Sequence, residues 1–326
     1  MANDKSGQKK LAKAVITIII VGIASFFGIN VTDLIPKENA QTSHETVNQQ
    51  ETIQQVKGEL MLHMIDVGQA DSFLLVQGNE TALIDFGTRS TGKDAVEYLK
   101  SIGIEKLDYV FGTHPHDDHM GGMYDVITNF EIGKIILPEV EVGEVTTNWY
   151  MKLMNEIKTG NYEVEYAKVG SVYNLGDATM KVIGPISKPD NNLNDYSIVL
   201  KVSFGDMDII MTGDAEKDVE KEILQSGESI DAEILKVGHH GSDTSTCDEF
   251  LEAIDPEYAL ISAKVGNKYE HPIKSTMDKL KNHNIEVYRT DENGSVVAEI
   301  TPNDVEFSCN PGDYLSGTEL EERNAA

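Results

Sequence analysis

Cysteine is nearly absent from this chain: Cys247 and Cys309 are the only two among 326 residues. That excludes a small fold stapled by disulfides, and neither stands in a Cys-x-x-Cys pair of the kind used for zinc or redox chemistry. Both are read as structural, with a single bridge between them left open as an alternative. Positive charge is scarce too. Lys and Arg number 27 against 55 Asp and Glu, giving a formal net charge of -28 at pH 7. Binding nucleic acid through counterion release needs a basic footprint, so any nucleic acid here would be held locally, chiefly by metal ions. Aromatic residues make up only 7%, with one Trp, and they form no series of rings along a basic groove for stacking bases. Trp149 and Tyr150 read as core or groove lining. What is present is a hydrophobic fraction of 40%, enough for a sizeable core in one large domain or two small ones.

One long apolar run stands out, Ala14 to Ile29, with Lys5, Lys9, Lys10 and Lys13 before it and Asp33 after it. Extended by Val31, Leu34 and Ile35 it approaches the ~20 residues that cross a bilayer. The lysines would stay in the cytoplasm and send the rest of the chain outside. No small-x-small cleavage site follows the run, so residues 1–35 are read as a cytoplasmic tip and an uncleaved membrane anchor; a cleaved signal peptide is the alternative. Residues 36–58, rich in Gln, Glu, Thr and Asn, are read as a flexible linker. Residues 59–310 are expected to form the folded domain and 311–326 a flexible tail.

Within the domain the pattern is one of short β-runs and amphipathic helices. Strands are predicted at 60–65, 72–76, 81–84 and 107–111, with a helix over 92–102 on which Ala95, Val96, Leu99 and Ile102 share a face. Further on come strands at 134–137, 180–183, 197–204, 208–211, 232–237, 258–262 and 286–289, interleaved with helices at 147–158, 215–224, 246–254 and 273–283. Two blocks of strands, each followed by helices, predict two sheets packed face to face and covered by helices: an α/β, four-layer αββα sandwich with its ligand loops along one edge.

The most informative stretch is Thr113-His114-Pro115-His116-Asp117-Asp118-His119, directly after an apolar strand. Imidazole and carboxylate suit zinc, manganese or ferrous iron. A loop at a strand end can turn His114 and His116 toward one ion and Asp118 and His119 toward a second. Three more strand ends carry donors. Thr212-Gly213-Asp214 offers a carboxylate able to bridge two ions, Gly238-His239-His240-Gly241-Ser242 offers at least one imidazole, and Tyr269-Glu270-His271-Pro272 is read as a helix start with proline in its first turn. His44, His63 and His283 sit in ordinary linker, strand and helix-end positions.

These patches, with Asp66 to Asp71, Leu83-Ile84-Asp85-Phe86-Gly87 and Gly121-Gly122, resemble the metallo-β-lactamase superfamily, and within it the hydrolase domain of the ComEC-type competence proteins. The resemblance spans about Glu59 to Ile300 and implies the αββα sandwich and a site for two divalent ions, zinc or manganese. It departs from the general pattern in one respect: no histidine occurs between His119 and His239. By similarity to phosphorylcholine esterases of the superfamily, that place is assigned to His240, with His239 as the alternate. One ion would then take His114, His116, His240 and Asp214, and the other Asp118, His119, Asp214 and His271. Asp118 and Asp214 are the catalytic carboxylates, while Asp71 and Asp85 are read as groups that orient imidazoles.

Paired divalent ions make water a nucleophile near neutral pH and clamp charge on a phosphoryl oxygen, so hydrolysis is the expected reaction. An anionic phosphodiester gains most from two adjacent cations. Lys268, Tyr269 and Ser242, with Lys264 and Asn194 behind them, are candidates to hold it. The expected protein is a membrane-anchored extracytoplasmic phosphodiesterase or nuclease related to competence-type DNA uptake or degradation. The alternatives are a phosphorylcholine-type cell-wall esterase and a non-catalytic, metal-stabilised surface protein. No protein partner is inferred. A diiron redox protein of this superfamily carries glutamate where this chain has His116, which disfavours that chemistry.

Overall fold

The computed structural model describes residues 58–326 apart from 142, 190 and 191. In chain order its strands begin with β1 (Leu60–Met64), β2 (Phe73–Gln77), β3 (Glu80–Ile84), β4 (Lys106–Phe111), β5 (Glu131–Leu137) and β6 (Val164–Tyr166). Then follow β7 (Val172–Leu175), β8 (Ala178–Gly184), β9 (Val199–Phe204), β10 (Met207–Met211), β11 (Ile234–Lys236), β12 (Tyr258–Ile261), β13 (Glu286–Arg289), β14 (Val296–Thr301) and β15 (Asp304–Phe307). The α-helices are α1 (Gly92–Ser101), α2 (Asp117–Met120), α3 (Met123–Ile127), α4 (Asn148–Thr159), α5 (Lys217–Ser226), α6 (Asp248–Ile254), α7 (Lys274–Asn282), α8 (Thr290–Asn293) and α9 (Gly317–Ala325).

Period-two alternation explains why two sheets face one another. On β1, Leu60, Leu62 and Met64 are buried while Met61 and His63 are half-buried, so one face of the strand is committed to the interior. Those side chains join Phe73, Leu75 and Phe111 of the first sheet and Met180, Leu200, Val202, Phe204 and Ile209 of the second in one continuous core. The first sheet runs β15-β14-β1-β2-β3-β4-β5-β6 and the second β13-β12-β11-β10-β9-β8-β7. In each, one half is antiparallel and the other parallel: β3 to β6 in the first, β10 to β13 in the second. The central parallel strands β3, β11 and β12 are buried on both faces, as crossover helices require. Helices α1, α3 and α4 cover the outer face of the first sheet through Leu99, Val126 and Leu153. Helices α5, α6 and α7 cover the second through Ile223, Phe250 and Leu280. The predicted αββα sandwich is the observed architecture.

Several boundaries differ from the sequence reading. Strands β6, β7, β14 and β15 have no counterpart in it; β14 owes its place to long-range pairing, with Leu60 opposite Ile300. Helix α7 starts at Lys274 with Ile273 as N-cap, so Pro272 precedes the cap instead of sitting in the first turn, and it follows a cis peptide bond. Residues 311–326, expected to be a flexible tail, end in helix α9. Ser316 and Glu319 form a capping box there, Leu320 is fully buried, and the Gly317 N–H donates to the Pro272 carbonyl at 2.8 Å. Leu320→Ala is therefore expected to lower stability by about 2–5 kcal/mol, read as a shift of the urea midpoint; an unmoved midpoint would show that α9 is not docked. Cys247 and Cys309 are free thiols. The expected anchor and linker lie outside the described residues, and among the described residues no helix is long and apolar enough to cross a membrane.

Candidate metal centre

The carboxyl ends of the parallel strands in both sheets deliver the polar groups to one edge. Asp85 closes β3 with φ 60, a left-handed conformation that holds its carboxylate against the next strand end. There Asp85 accepts from the Thr113 N–H at 2.8 Å and the Thr113 hydroxyl at 2.7 Å. Beyond it, helix α2 carries Asp118 and His119 on one short turn. The His119 carbonyl accepts from the Phe86 N–H at 2.8 Å, and a Cβ at Gly122 would fall 2.1 Å from the Phe86 carbonyl oxygen. Only glycine lets these two backbones approach, which is the physical need behind Gly121-Gly122 in the loop.

Three imidazoles are anchored through Nδ1. His119 Nδ1 donates to Asp85 Oδ2 at 2.7 Å, and His240 Nδ1 donates to the Ser262 carbonyl at 3.0 Å. His114 Nδ1 meets Thr113 Oγ1 at 3.1 Å and Ser197 Oγ at 3.2 Å. Because the Thr113 hydroxyl proton is directed at Asp85, its oxygen accepts from His114. In the neutral tautomer that these partners select, Nε2 of each ring keeps the lone pair that a metal ion would take. His114 Nε2 lies 3.0 Å from His116 Nδ1.

The second sheet supplies the counterpart. Asp214 follows β10 and is 1% exposed. Its Oδ2 lies 3.1 Å from His119 Nε2, 3.6 Å from His239 Nε2, 3.8 Å from His240 Nε2 and 3.9 Å from His114 Nε2. Next to it β11 carries Lys236, also 1% exposed. Its ammonium donates to Asp71 Oδ2 at 2.6 Å and to the Gly213 carbonyl at 2.8 Å, and stands 3.7 Å from Asp214 Oδ1. His239 and His240 both lie in the left-handed region, with φ 49 and 53. That conformation costs a non-glycine residue on the order of 1–3 kcal/mol, and it turns both rings toward the same edge.

The electrostatics favour positive charge at this point. Burial alone would raise the Asp214 carboxyl, but His119, His240 and Lys236 hold it well below the usual carboxylate range. Asp71 is lowered in the same way by Lys236 and His240, and Asp118 by His240 and His119. Against the downward pull of burial, Asp214 and Asp85 push His119 well above its ordinary value, and Asp214 and Asp71 push His240 up to about 10. His114 and His271 move the other way through burial, His271 to about 4. His119 Nε2, His240 Nε2, Asp214 Oδ1 and Asp71 Oδ1 are buried without a hydrogen bond, a state that costs roughly 1–3 kcal/mol per group when nothing else compensates it. Such convergent imidazole and carboxylate donors fit divalent ions.

Donor atoms within 4.8 Å of one another form three sets among the described residues: His114, His119 and Asp214; Asp118, His119 and His240; and Asp71, Asp85 and His119. Among these sets His240 falls with Asp118 and His119 and not with His114, beside which it was expected. Anchored on Ser262, its Nε2 reaches to 3.7 Å from Asp118 Oδ2, on the His119 side. His271 stands outside these sets, its ring packed 5.5 Å from His239 and 5.6 Å from Tyr269. His116, Asp118, Asn194, Asp214, His239, His240, Tyr269 and His271 line a cavity of about 280 Å³. Ser242 does not line it; its hydroxyl meets Thr244 Oγ1 at 3.1 Å within its own turn. Lys236 escapes a reading of the sequence because it sits in the apolar run Leu235-Lys236-Val237; its signal is a lone charge in a strand buried on both faces.

Comparison with known proteins agrees with this geometry. The family model described as the metallo-beta-lactamase superfamily matches residues 65–263. ComE operon protein 3 of Bacillus subtilis (strain 168) is 32% identical over 251 residues, covering 72% of this chain and 32% of that protein. Competence protein ComA of Neisseria gonorrhoeae is 27% identical over 242 residues, covering 74% and 32%. Recombination protein 2 of Haemophilus influenzae is 28% identical over 238 residues, covering 71% and 28%. The chain thus spans about a third of the length of these curated relatives.

Proposed function

The chain belongs to the metallo-β-lactamase superfamily, and on that premise we propose that it is a metal-dependent phosphodiesterase, with DNA as its leading substrate class. The observation that carries this reading is the convergence of imidazoles on Asp214 Oδ2 from both sheets, the shortest approach being His119 Nε2 at 3.1 Å. His114, His116 and Asp214 would hold one ion, and Asp118, His119 and His240 the other, with Asp214 shared and His239 and His271 at the cavity wall. A bound pair of divalent ions supplies an activated water and charge neutralisation at a phosphoryl group.

The chain's own residues supply the rest. Asp85, Ser262 and the Thr113–Ser197 pair fix the rings so that Nε2 faces inward, and Lys236 holds Asp71 and Asp214 at their mutual spacing. The half-open cavity beside the donors leaves room for a substrate, whereas a purely structural ion would have a closed donor set. The competence names of the relatives favour DNA over a cell-wall ester. Membrane anchorage through residues 1–35, with the catalytic domain outside the cytoplasm, belongs to the same proposal and rests on the apolar run and its flanking lysines.

The test is metal analysis of the full-length chain with a panel of DNA, RNA, cyclic dinucleotide and phosphorylcholine substrates. His116→Ala is expected to abolish metal-dependent cleavage and lower the metal content while the thermal melt stays cooperative. Undiminished cleavage by that variant in chelator would sink the reading, and turnover confined to phosphorylcholine esters would transfer it to the esterase class.

A further inference from the structure

We propose that the groove next to the metal centre binds the backbone phosphates of a polynucleotide on one side of the bond that is cut, so that the substrate is a chain and not a single phosphodiester. This rests on the phosphodiesterase reading and specifies its substrate. The groove has a volume of about 450 Å³ and is lined by Gln69, Thr88, Lys264, Asn267, Lys268 and Tyr269, together with Asp117 and Asp118. Asp117, Asp118 and Tyr269 are shared or adjacent to the 280 Å³ cavity among the metal donors, which all three also line, so the two spaces have a common wall.

Its chemistry is unlike the rest of a chain with net charge -28. Lys264 and Lys268 are both exposed, and neither forms an ion pair among the described residues. Of the two acids in the groove, Asp117 is neutralised, because Arg89 Nε donates to its Oδ1 at 2.6 Å, while Asp118 is the one whose charge acts on Lys268. Lys268 is carried on the Tyr269 ring, Nζ 4.6 Å from its centroid, and that ring stacks on His271 at 5.6 Å. One ammonium is thereby positioned where groove and cavity meet. Gln69 braces the wall of the groove: its Oε1 accepts from the Lys264 N–H at 3.0 Å, which ties the segment carrying both lysines to the one after β1. Two ammonium groups outside any ion pair, beside an anion-cutting centre, suit a second phosphate. A phosphorylcholine ester has no second phosphate, and its quaternary ammonium would be repelled by both lysines.

The test uses the full-length chain and a fluorescein-labelled single-stranded oligonucleotide of about 12 nucleotides, with binding read by anisotropy in chelator so that no turnover is involved. The Lys264→Ala/Lys268→Ala double variant is expected to bind about tenfold more weakly at low salt. Its plot of log affinity against log salt should be shallower by roughly 0.7 for each phosphate that the lysines no longer neutralise. With metal restored, the kcat/KM advantage of the oligonucleotide over a dinucleotide should shrink by a similar factor. Unchanged affinity and slope in the double variant, or no binding by the unsubstituted chain, overturns the groove while leaving the hydrolase reading intact. Failure to cleave any phosphodiester despite normal binding overturns the hydrolase reading and leaves the groove standing as a binding site.

Discussion

Asp214→Asn is expected to lower kcat/KM for a phosphodiester by about a thousandfold or more, equivalent to ~4 kcal/mol of transition-state stabilisation, and to reduce bound metal per chain. The substitution keeps the shape of the side chain and removes its charge. Four imidazoles lie between 3.1 and 3.9 Å of Asp214 Oδ2, so one carboxylate serves donors from both sheets. An amide has one oxygen to offer, and its NH₂ would face either those rings or the Lys236 ammonium, which stands 3.7 Å from Oδ1. Elemental analysis and steady-state kinetics on the same preparation check this, and a variant with full metal content and full activity would remove Asp214 from the centre.

Lys236→Met should be the most destabilising single change at this edge, by about 3–5 kcal/mol, because it leaves a buried carboxylate without its partner. Lys236 and Asp71 are each 1% exposed and 2.6 Å apart. The second substitution, Asp71→Asn, should recover part of the loss, since the double variant no longer buries an unmatched charge; urea unfolding of all four forms measures the coupling. The pH dependence has a definite sign. Burial raises the Asp71 carboxyl, but Lys236, His240 and His119 bring it below its ordinary value. A depressed carboxylate contributes stability that is complete above its unfolded pKa, about 3.9, and is lost as pH falls through the folded value. Without Lys236 the depression is smaller, so the acid-side loss should begin at higher pH; an unshifted acid limb would remove Lys236 from this role.

The sandwich can be read from the chain wherever local pattern and environment agree. Alternation on β1 and the amphipathic face of α1 are local signals, and both elements form within one or two residues of their predicted limits. Long-range pairing is not legible: Val296 to Thr301 has the β-branched alternation of a strand, but nothing in it announces β1 as its neighbour. Helix α9 is hard to see because its apolar content amounts to little more than Leu320, although Ser316 and Glu319 already have the spacing of a capping box. At the centre, the donor types can be read but not their grouping. His239 and His240 adopt a conformation that sequence assigns to glycine, and their left-handed turn decides which ring reaches Asp118. Lys236 shows the same limit from another direction, since a charge is buried when its partners arrive from distant segments.

The pairing of Leu60 with Ile300 bears on how the protein is made. A ribosome adding 5–20 residues per second needs on the order of 10 to 50 s between emitting one partner and the other. Throughout that interval the outer edge of β1 has open N–H and C=O groups, which neighbouring nascent chains can use as a template. Closure of so long a loop also makes folding slow once synthesis ends. Yield at high expression should therefore be governed by translation speed and chaperone supply more than by the stability of the finished fold.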